Sequence, residues 1–184
     1  MLSTITTPRL LLRPVQPDDG PTLYALINNW AVIRWLSVVP WPYTPDDMSW
    51  FITNIAGPRA ATDDPIFALL LDGTTLIGVA ECMGGADAGS SEVEVHDLGF
   101  WLGEPYWGKG YMSEAVSALI TRAFERPETE VIRSGAFEGN DRSLAVHEKL
   151  GFVRTGLRPS HCRARATDIP LATLRLTRER FKPV

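Results

Sequence analysis

The sequence predicts one mixed α/β domain that spans residues 1–184. Three observations support this prediction. The chain has 184 residues, close to the usual size of a single domain. Apolar residues make up 45% and charged residues 22%, which is typical of water-soluble globular proteins. Segments with strand periodicity and segments with helix periodicity follow one another along the chain, so both kinds of element are expected to pack around one core.

The first third of the chain predicts a strand followed by two helices. Residues 9–15 are apolar enough for a strand, and residues 22–29 carry leucine and isoleucine at helical spacing. Thr44 is a good helix N-cap and Pro45 suits the first helical position, so a second helix is predicted over 45–56.

A β-hairpin and a long strand are predicted next. Residues 66–72 and 75–83 are apolar and flank a turn at Asp72-Gly73. The Gly- and Ser-rich residues 84–91 are expected to form a flexible connection to a strand over 92–102.

The strand over 92–102 has an apolar pattern that changes phase. Apolar residues stand at odd positions first and at even positions afterwards: Val93, Val95, Leu98, Phe100 and Leu102. The change falls near His96-Asp97. One extra residue, a β-bulge, would restore a single buried face; burial of both faces is the alternative.

Five further elements complete the prediction. They are a helix, a strand, a helix and two strands, at residues 112–124, 130–138, 141–150, 152–158 and 168–176. The first of these helices has apolar residues at every expected position of one face. Asn140 can cap the second helix, and Gly151 can end it in a left-handed conformation.

Charge and cysteine content exclude several classes of protein. Residues 1–125 carry six basic and fifteen acidic side chains, whereas residues 126–184 carry twelve and seven, so the two parts have net charges of −9 and +5. The isoelectric point near 5.4 argues against nucleic acid as the main partner. The acidic part could favour a cationic substrate and the basic part a polyanionic one. With no apolar run of membrane-spanning length and two isolated cysteines, Cys82 and Cys162, the sequence predicts a cytoplasmic protein without a membrane partner.

A glycine-containing turn lies between the strand over 92–102 and the helix that follows it. Gly108 and Gly110 would let the backbone approach a ligand, and the free N–H groups of the following helix would favour an anion such as phosphate. The alternative is a tight connection without a ligand. The turn also comes close to a nucleotide-binding P-loop, but that loop needs Ser or Thr where Gly110 stands.

Residues 98–119, LGFWLGEPYWGKGYMSEAVSAL, resemble the acetyl-CoA-binding motif of the GNAT acyltransferases. Their local sequence is similar to that of the RimJ/RimL-like branch of this family. Three other segments agree with this family, at residues 7–19, 140–152 and 171–181. The resemblance covers roughly residues 6–181. It implies a mixed, mostly antiparallel, twisted sheet of about seven strands flanked by helices, with a splayed central cleft and a bulge in the fourth strand.

The resemblance also implies how coenzyme A is held. The pyrophosphate would be bound by backbone groups of one loop, which are those of Trp107, Gly108, Lys109, Gly110, Tyr111, Met112 and Ser113. The strand end at Trp101 and Leu102 would pair with the pantetheine arm, Asn140 would hydrogen-bond it, and Ser143 would lie near the sulfur. Trp107 replaces a common Gln or Arg, and Met112 replaces a small residue. No metal is implied.

Acetyl transfer to an amine needs a base for the amine, an oxyanion donor and an acid for the thiolate. Asp97 is the first choice for the base, because it stands where the similar branch often has Glu. Glu81, Glu94 and His96 are alternatives. Ser143 and His147, one helical turn apart, are the candidates for the acid. Backbone N–H groups near 100–102 are expected to serve the oxyanion.

Several aromatic residues are expected at the acceptor end of the cleft. Trp35, Trp41 and Tyr43, within a segment that also holds Trp30 and Trp50, could form a wall or a cation–π box for an amine. Packing in the core or in an interface is the alternative for them.

The function expected is an acetyl-CoA-dependent N-acetyltransferase that moves acetyl to a primary amine by direct attack. The acceptor would be a protein N-terminus or a small amine, and a homodimer would fit the resembling branch. The alternatives are a non-catalytic acyl-CoA-binding or regulatory protein on the same scaffold and a P-loop-like nucleotide binder.

Overall fold

The computed structural model describes residues 4–86 and 94–184. Its eight strands form one sheet in the order β1-β2-β3-β4-β5-β6-β8-β7. The strands are β1 (Ile5–Thr6), β2 (Leu10–Pro14), β3 (Phe67–Leu71), β4 (Thr75–Ala86), β5 (Glu94–Leu102), β6 (Thr129–Phe137), β7 (Val153–Cys162) and β8 (Thr167–Thr177). All neighbours are antiparallel except β5 and β6. The predicted mixed, mostly antiparallel sheet is confirmed, with eight strands instead of about seven.

Six α-helical segments accompany the sheet. They are α1 (Gly20–Ile27), α2 (Trp30–Ile33), α3 (Pro45–Phe51), α4 (Gly57–Arg59), α5 (Tyr111–Phe124) and α6 (Asp141–Leu150). Thr44 caps α3 as predicted, with Asp47 completing a reciprocal capping box, and a wider helical turn over Ile52–Ala56 extends α3 to the predicted end.

The sheet separates two apolar clusters. On one face, α5 and α6 cover Leu98, Leu102 and Ile132; on the other, α1 and α3 cover Val79 and Phe137. Strand residues alternate between these faces because successive side chains point in opposite directions. The site described below lies where the two faces meet.

Strands β5 and β6 separate at the centre of the sheet. Their parallel pairing ends at the Asp97–Arg133 pair, although β5 continues to Leu102 and β6 to Phe137. Beyond that pair the two strands diverge and leave a gap. The predicted splayed central cleft is therefore present.

The bulge was predicted in the strand over 92–102, the fourth strand of the expected fold and β5 of the structure. Its predicted position is wrong. Pairing between β4 and β5 keeps one register from Gly78–Leu102 to Ala86–Glu94. The register shift lies in the pairing with β6, where Glu94 pairs with Thr129 and Val95 with Val131. The extra residue therefore belongs to β6.

Burial on both faces of β5 explains the change of phase in the sequence. Val95 is buried on one face, and His96 is fully buried on the other, the same face as Leu98. His96 thus occupies a core position that the pattern assigns to an apolar residue. Val93 and most of the predicted 84–91 connection lie outside the described residues.

Two further findings bear on the expected class of protein. No helix within residues 4–86 and 94–184 is long and apolar enough to cross a bilayer. Cys82 and Cys162 are both buried and free.

Candidate active site

A cavity of about 450 Å³ occupies the gap between β5 and β6. On the α5 side its wall includes Met112 and Ser143, and on the opposite side it includes Val32 and Trp35. The cavity therefore passes through the plane of the sheet. A ligand entering from either face could reach the same point between the strands.

The loop before α5 presents main-chain amides to this cavity. Gly108 and Gly110 have φ of 73° and 79°, in the left-handed region that glycine adopts without strain. Gly110 is the N-cap of α5 and supplies no side chain to bond the first helical N–H groups. These amides, at the positive end of a fourteen-residue helix, form a site suited to phosphate.

Arg9 and Glu114 hold that loop from outside. Arg9 Nε lies 2.6 Å from Glu114 Oε2, and Arg9 also donates to the carbonyl of Lys109 at 2.9 Å. Glu114 accepts from Thr7 Oγ1 at 2.6 Å. Hydrogen bonds to its charged form keep the pKa of Glu114 below its usual value, although burial opposes this effect. The ion pair fixes the loop against β2.

The edge of β5 that faces β6 carries backbone groups without a strand partner. Ser134 Oγ lies 3.0 Å from the carbonyl oxygen of Leu98, which shows that this carbonyl points into the gap. Because backbone direction alternates along a strand, the amide and carbonyl of Phe100 and the amide of Leu102 point the same way. The indole N–H of Trp107 donates to the carbonyl of Leu102 at 2.7 Å.

The predicted cofactor residues gather around the cavity with one exception. Ten of the eleven line it: Trp101, Leu102, Trp107, Gly108, Gly110, Tyr111, Met112, Ser113, Asn140 and Ser143. Lys109 does not line it; its ammonium donates to the carbonyl of Pro105 at 3.1 Å, and its own carbonyl accepts from Arg9. The side chain of Met112 packs into the core under α5, so most of its bulk is directed away from the loop amides.

Helix α6 brings Ser143 and His147 to the cavity. Asn140 Oδ1 accepts from the Ser143 amide at 3.4 Å and caps the helix as predicted. In the described part of the chain, the Ser143 hydroxyl makes no hydrogen bond. It is free to donate to a ligand in the cavity.

His147 is held as a neutral ring. It is 1% exposed and lies between Phe100 and Phe152, with ring centroids 5.2 and 4.9 Å away. Nδ1 lies 2.7 Å from the carbonyl of Ser143 and must donate to it, and Nε2 lies 2.8 Å from Ser134 Oγ. Burial lowers the pKa of His147 to about 4, with the Ser143 bond opposing this. A ring that is neutral at pH 7, with its one proton already used, is a poor acid for a thiolate.

The predicted base, Asp97, and two of its alternatives, His96 and Glu81, are not among the described residues that line the cavity. Asp97 is exposed, and its carboxylate bonds Arg133 at 3.1 Å. His96 is buried 3.1 Å from Thr129 Oγ1. Glu81 comes nearest: Oε2 lies 2.5 Å from Arg59, and Oε1 lies over Gly99, which lines the cavity. The side chain of Glu94 is outside the described residues.

Trp35 is the one residue of the predicted acceptor trio that lines the cavity. Trp41 is 42% exposed and contacts Trp30, with ring centroids 5.5 Å apart. Tyr43 is buried and stacks on Tyr24; burial, and to a lesser extent Asp47, raises the pKa of Tyr43 to about 12. Trp41 and Tyr43 therefore fit the packing alternative.

Two lining residues were missed by the sequence analysis. Arg142 lies with its guanidinium carbon 4.5 Å from the ring centroid of Trp107, beside the loop amides. Its position two residues after the helix cap Asn140 was a usable signal. Ser134 joins His147 to Leu98 across the gap, and nothing in the strand pattern distinguishes it from an ordinary small residue.

Comparisons with known proteins agree with this architecture. Residues 9–153 match the family model described as an acetyltransferase (GNAT) domain. The chain is 30% identical over 149 residues to YdaF of Bacillus subtilis (strain 168), provisionally named as a ribosomal N-acetyltransferase; the match covers 80% of this chain and 79% of YdaF.

Solved structures share the fold. A GNAT-family acetyltransferase from Bacillus anthracis is 21% identical with a TM-score of 0.78, covering 96% of this chain and 99% of its own. RimL, named as a ribosomal L7/L12 alpha-N-protein acetyltransferase and solved with coenzyme A, is 17% identical with a TM-score of 0.77, covering 95% and 98%. On the family match and the relative at 30% identity, the chain belongs to the GNAT acetyltransferase family and is an acyltransferase.

Proposed function

We propose that this protein transfers an acetyl group from acetyl-CoA to a primary amine by direct attack. The observation that carries the proposal is a single cavity in which three features meet: uncapped amides at the start of α5, the unpaired edge of β5, and the free hydroxyl of Ser143. Each suits a different part of a thioester of coenzyme A. RimL, which shares the fold, is named for the same chemistry.

The cavity wall offers a place for each part of coenzyme A. The amides from Gly108 to Ser113 would receive the diphosphate, whereas the amide of Trp107 donates to the carbonyl of Glu104 at 3.2 Å. A Cβ on Gly108 would meet nothing within 4 Å, so the approach there is open. The Arg142 guanidinium adds positive charge beside them. The backbone of Phe100 and Leu102 would pair with the amides of the pantetheine arm, as an added strand pairs with a sheet edge.

The acetyl group would then lie near Phe100, between the two faces of the sheet. Attack of the amine nitrogen on the thioester carbon forms the C–N bond and breaks the C–S bond. The Phe100 amide would bind the carbonyl oxygen as negative charge develops on it. Ser143 would give its proton to the leaving thiolate.

The amine must lose a proton before or during attack, since an alkyl amine with a pKa near 10 is about one part in a thousand neutral at pH 7. Glu81 is the better placed base, because its free oxygen lies over Gly99 at the cavity wall. Asp97 lies on the same face of β5 as Gly99 and is the second candidate for the base. Either carboxylate would act through a water molecule.

The acceptor is a primary amine of a protein N-terminus or of a small molecule. A protein N-terminus is supported by the names of YdaF and RimL, both of which refer to ribosomal acetyltransferases. An opening on the Trp35 side of the sheet would admit either kind of acceptor without displacing coenzyme A.

Release of the free thiol from acetyl-CoA, measured with a panel of small amines and N-terminal peptides, tests the proposal. Ser143→Ala is expected to lower kcat by about tenfold to a hundredfold with little change in acetyl-CoA affinity, because it removes a proton donor and leaves the amides intact. At pH 7, Glu81→Gln is expected to lower kcat more than Asp97→Asn does. The effect of Glu81→Gln should be smaller at high pH than at pH 7, because the amine is already neutral there.

Ser160→Ala, a serine on β7 outside the cavity wall, is the matched control and should leave both constants unchanged. Coenzyme A binding without turnover on any amine would contradict the proposed reaction. Equal rates for Glu81→Gln and the unaltered protein would remove that residue from its role.

A further inference from the structure

Trp35 stands at the end of the cavity away from α5 and carries two arginines over its ring. The guanidinium carbon of Arg34 lies 4.7 Å from the Trp35 ring centroid, and that of Arg165 lies 5.0 Å from it. Val32 and Ser37 complete this end of the wall, and the two arginines pack on Trp35 without lining the cavity themselves. Two cations from distant parts of the chain are thus gathered at one aromatic side chain.

Neither arginine has a carboxylate partner in the described part of the chain. The ion pairs there involve other basic residues, and the Nε of Arg34 is buried without a hydrogen-bond partner. The neighbouring Arg163 differs, because it acts on Asp47: hydrogen bonds from Thr44 lower the pKa of that carboxyl most, and the charge of Arg163 adds a smaller effect. Like charges held near one ring without an acid repel each other, and an anion bound between them would offset that repulsion.

The backbone fixes the positions of both arginines. The amide of Arg163 donates to the carbonyl of Ser37 at 2.9 Å, and the thiol of Cys162 lies 3.5 Å from the carbonyl of Arg34. The turn that carries Arg165 ends at Ala166, whose φ of 49° is in the left-handed region. Segments 34–37 and 162–166 are therefore tied together before any ligand binds.

The charge of the cavity wall agrees with an anionic occupant. Its described lining contains no Asp or Glu that would repel an anionic acceptor, and its basic side chains include Arg142, which lies beside the loop amides at the other end. A box for a cationic group would need acidic or unoccupied aromatic surface, but the Trp35 ring already carries two cations. The acidic first part of the sequence does not supply a carboxylate at this point.

We propose that Arg34 and Arg165, packed on Trp35, bind a carboxylate or phosphate group carried by the acceptor amine. The inference rests on the proposed function, since it describes the acceptor of that reaction. Two guanidinium groups can offer paired N–H donors to one planar or tetrahedral anion. The acceptor is therefore an amine with an anionic group at a distance, and the amine points through the gap towards Phe100.

Matched acceptors test this inference. Amino acids would be compared with their carboxamides, and N-terminal peptides with Glu at the second position with the same peptides carrying Gln. We expect kcat/KM to be at least about tenfold higher for the anionic member of one of these pairs. Arg34→Gln and Arg165→Gln should remove that preference by raising KM for the anionic acceptor, while KM for acetyl-CoA stays unchanged.

Two further variants separate binding from packing. Arg34→Lys and Arg165→Lys keep the charge and lose the planar fork, so they should retain part of the preference. Arg180→Gln, an exposed arginine that does not pack on Trp35, should retain all of it. Calorimetry with the matched N-acetylated products and coenzyme A gives the same comparison without turnover.

The outcomes distinguish the inference from the proposed function. Equal kcat/KM for anionic and neutral acceptors would overturn the anion site while acetyl transfer still stood. If the arginine variants lost kcat/KM by the same factor for the anionic and the neutral member of each pair, the arginines would only support the fold. Preferential binding of the anionic products without any acetyl transfer would support the anion site and overturn the reaction.

Discussion

His147 shows how a single residue can be conspicuous in sequence and serve a different purpose in the structure. Its position one turn after Ser143 suggested an acid. The one hydroxyl proton of Ser134 lies within reach of both Nε2 of the ring, at 2.8 Å, and the carbonyl of Leu98, at 3.0 Å, and it serves one of these acceptors at a time. The chain of contacts links α6, β6 and β5 across the gap. His147 therefore positions the two strands that form the cavity.

The burial of His147 makes stability depend on pH. Its pKa is about 4 in the folded protein and about 6.5 in the unfolded chain, so the unfolded chain binds the proton more tightly. The stabilising contribution is complete above pH 6.5 and is lost as the pH falls towards 4. We expect the free energy of unfolding to drop by about 3 kcal/mol across this window.

Denaturant unfolding at a series of pH values, with His147→Phe for comparison, measures this effect. The variant lacks the titrating ring, so its stability should change much less between pH 6.5 and 4.5. Carboxylates such as Glu114 contribute below that range, because their folded pKa lies under the usual value. Parallel pH curves for the two proteins would show that His147 does not carry the dependence.

At the scale of elements, the connection from β5 to α5 determines where a phosphate can bind. The left-handed Gly110 turns the chain so that the first amides of α5 face the cavity. Arg9 passes close by, with a guanidinium nitrogen 3.5 Å from where a Cβ on Gly110 would lie. A side chain at this position would strain the backbone and disturb the loop.

Gly110→Ala is expected to destabilise the protein by about 1–2 kcal/mol and to raise KM for acetyl-CoA. Gly73→Ala is the matched control, because Gly73 has φ of 73° in the β3–β4 turn, with open space around it and no part in the cavity wall. Both variants should lose stability by thermal unfolding. An unchanged KM in Gly110→Ala would remove the α5 amides from the phosphate site.

The elements could be predicted where the pattern was local. Thr44 and Asp47 at the start of α3, and Asn140 and Gly151 at the ends of α6, stand where sequence rules place caps. The bulge in β5 was misplaced because His96 is polar yet buried, and periodicity cannot distinguish a buried polar residue from an exposed one. Its burial depends on Thr129, which is distant in sequence.

Across the whole molecule, the sequence could locate the cofactor half of the cavity better than the acceptor half. Most cofactor groups come from one continuous segment, so spacing along the chain reports their arrangement. Arg34 and Arg165 meet only because the β7–β8 turn packs on segment 34–37, a contact between residues far apart in sequence. Such contacts depend on the complete sheet, and no local pattern indicates them.

Because the cavity passes through the sheet, we predict that both substrates are bound before the acetyl group is transferred. The two substrates would approach from opposite faces and meet near Phe100, so both can be bound together. No cysteine lines the described wall: Cys82 and Cys162 are buried elsewhere, and burial raises the pKa of Cys82 to about 12. A thiolate able to carry the acetyl group is therefore lacking there.

Steady-state rates measured while both substrates are varied should give intersecting double-reciprocal lines, as direct transfer within a ternary complex requires. Mass spectrometry after incubation with acetyl-CoA alone should show the unmodified chain. Parallel lines together with an acetylated protein would contradict direct attack and would indicate a covalent intermediate, with the Ser143 hydroxyl as the first group to examine. Ser143→Ala would then abolish the adduct, whereas in direct transfer it lowers kcat and leaves the intersecting pattern in place.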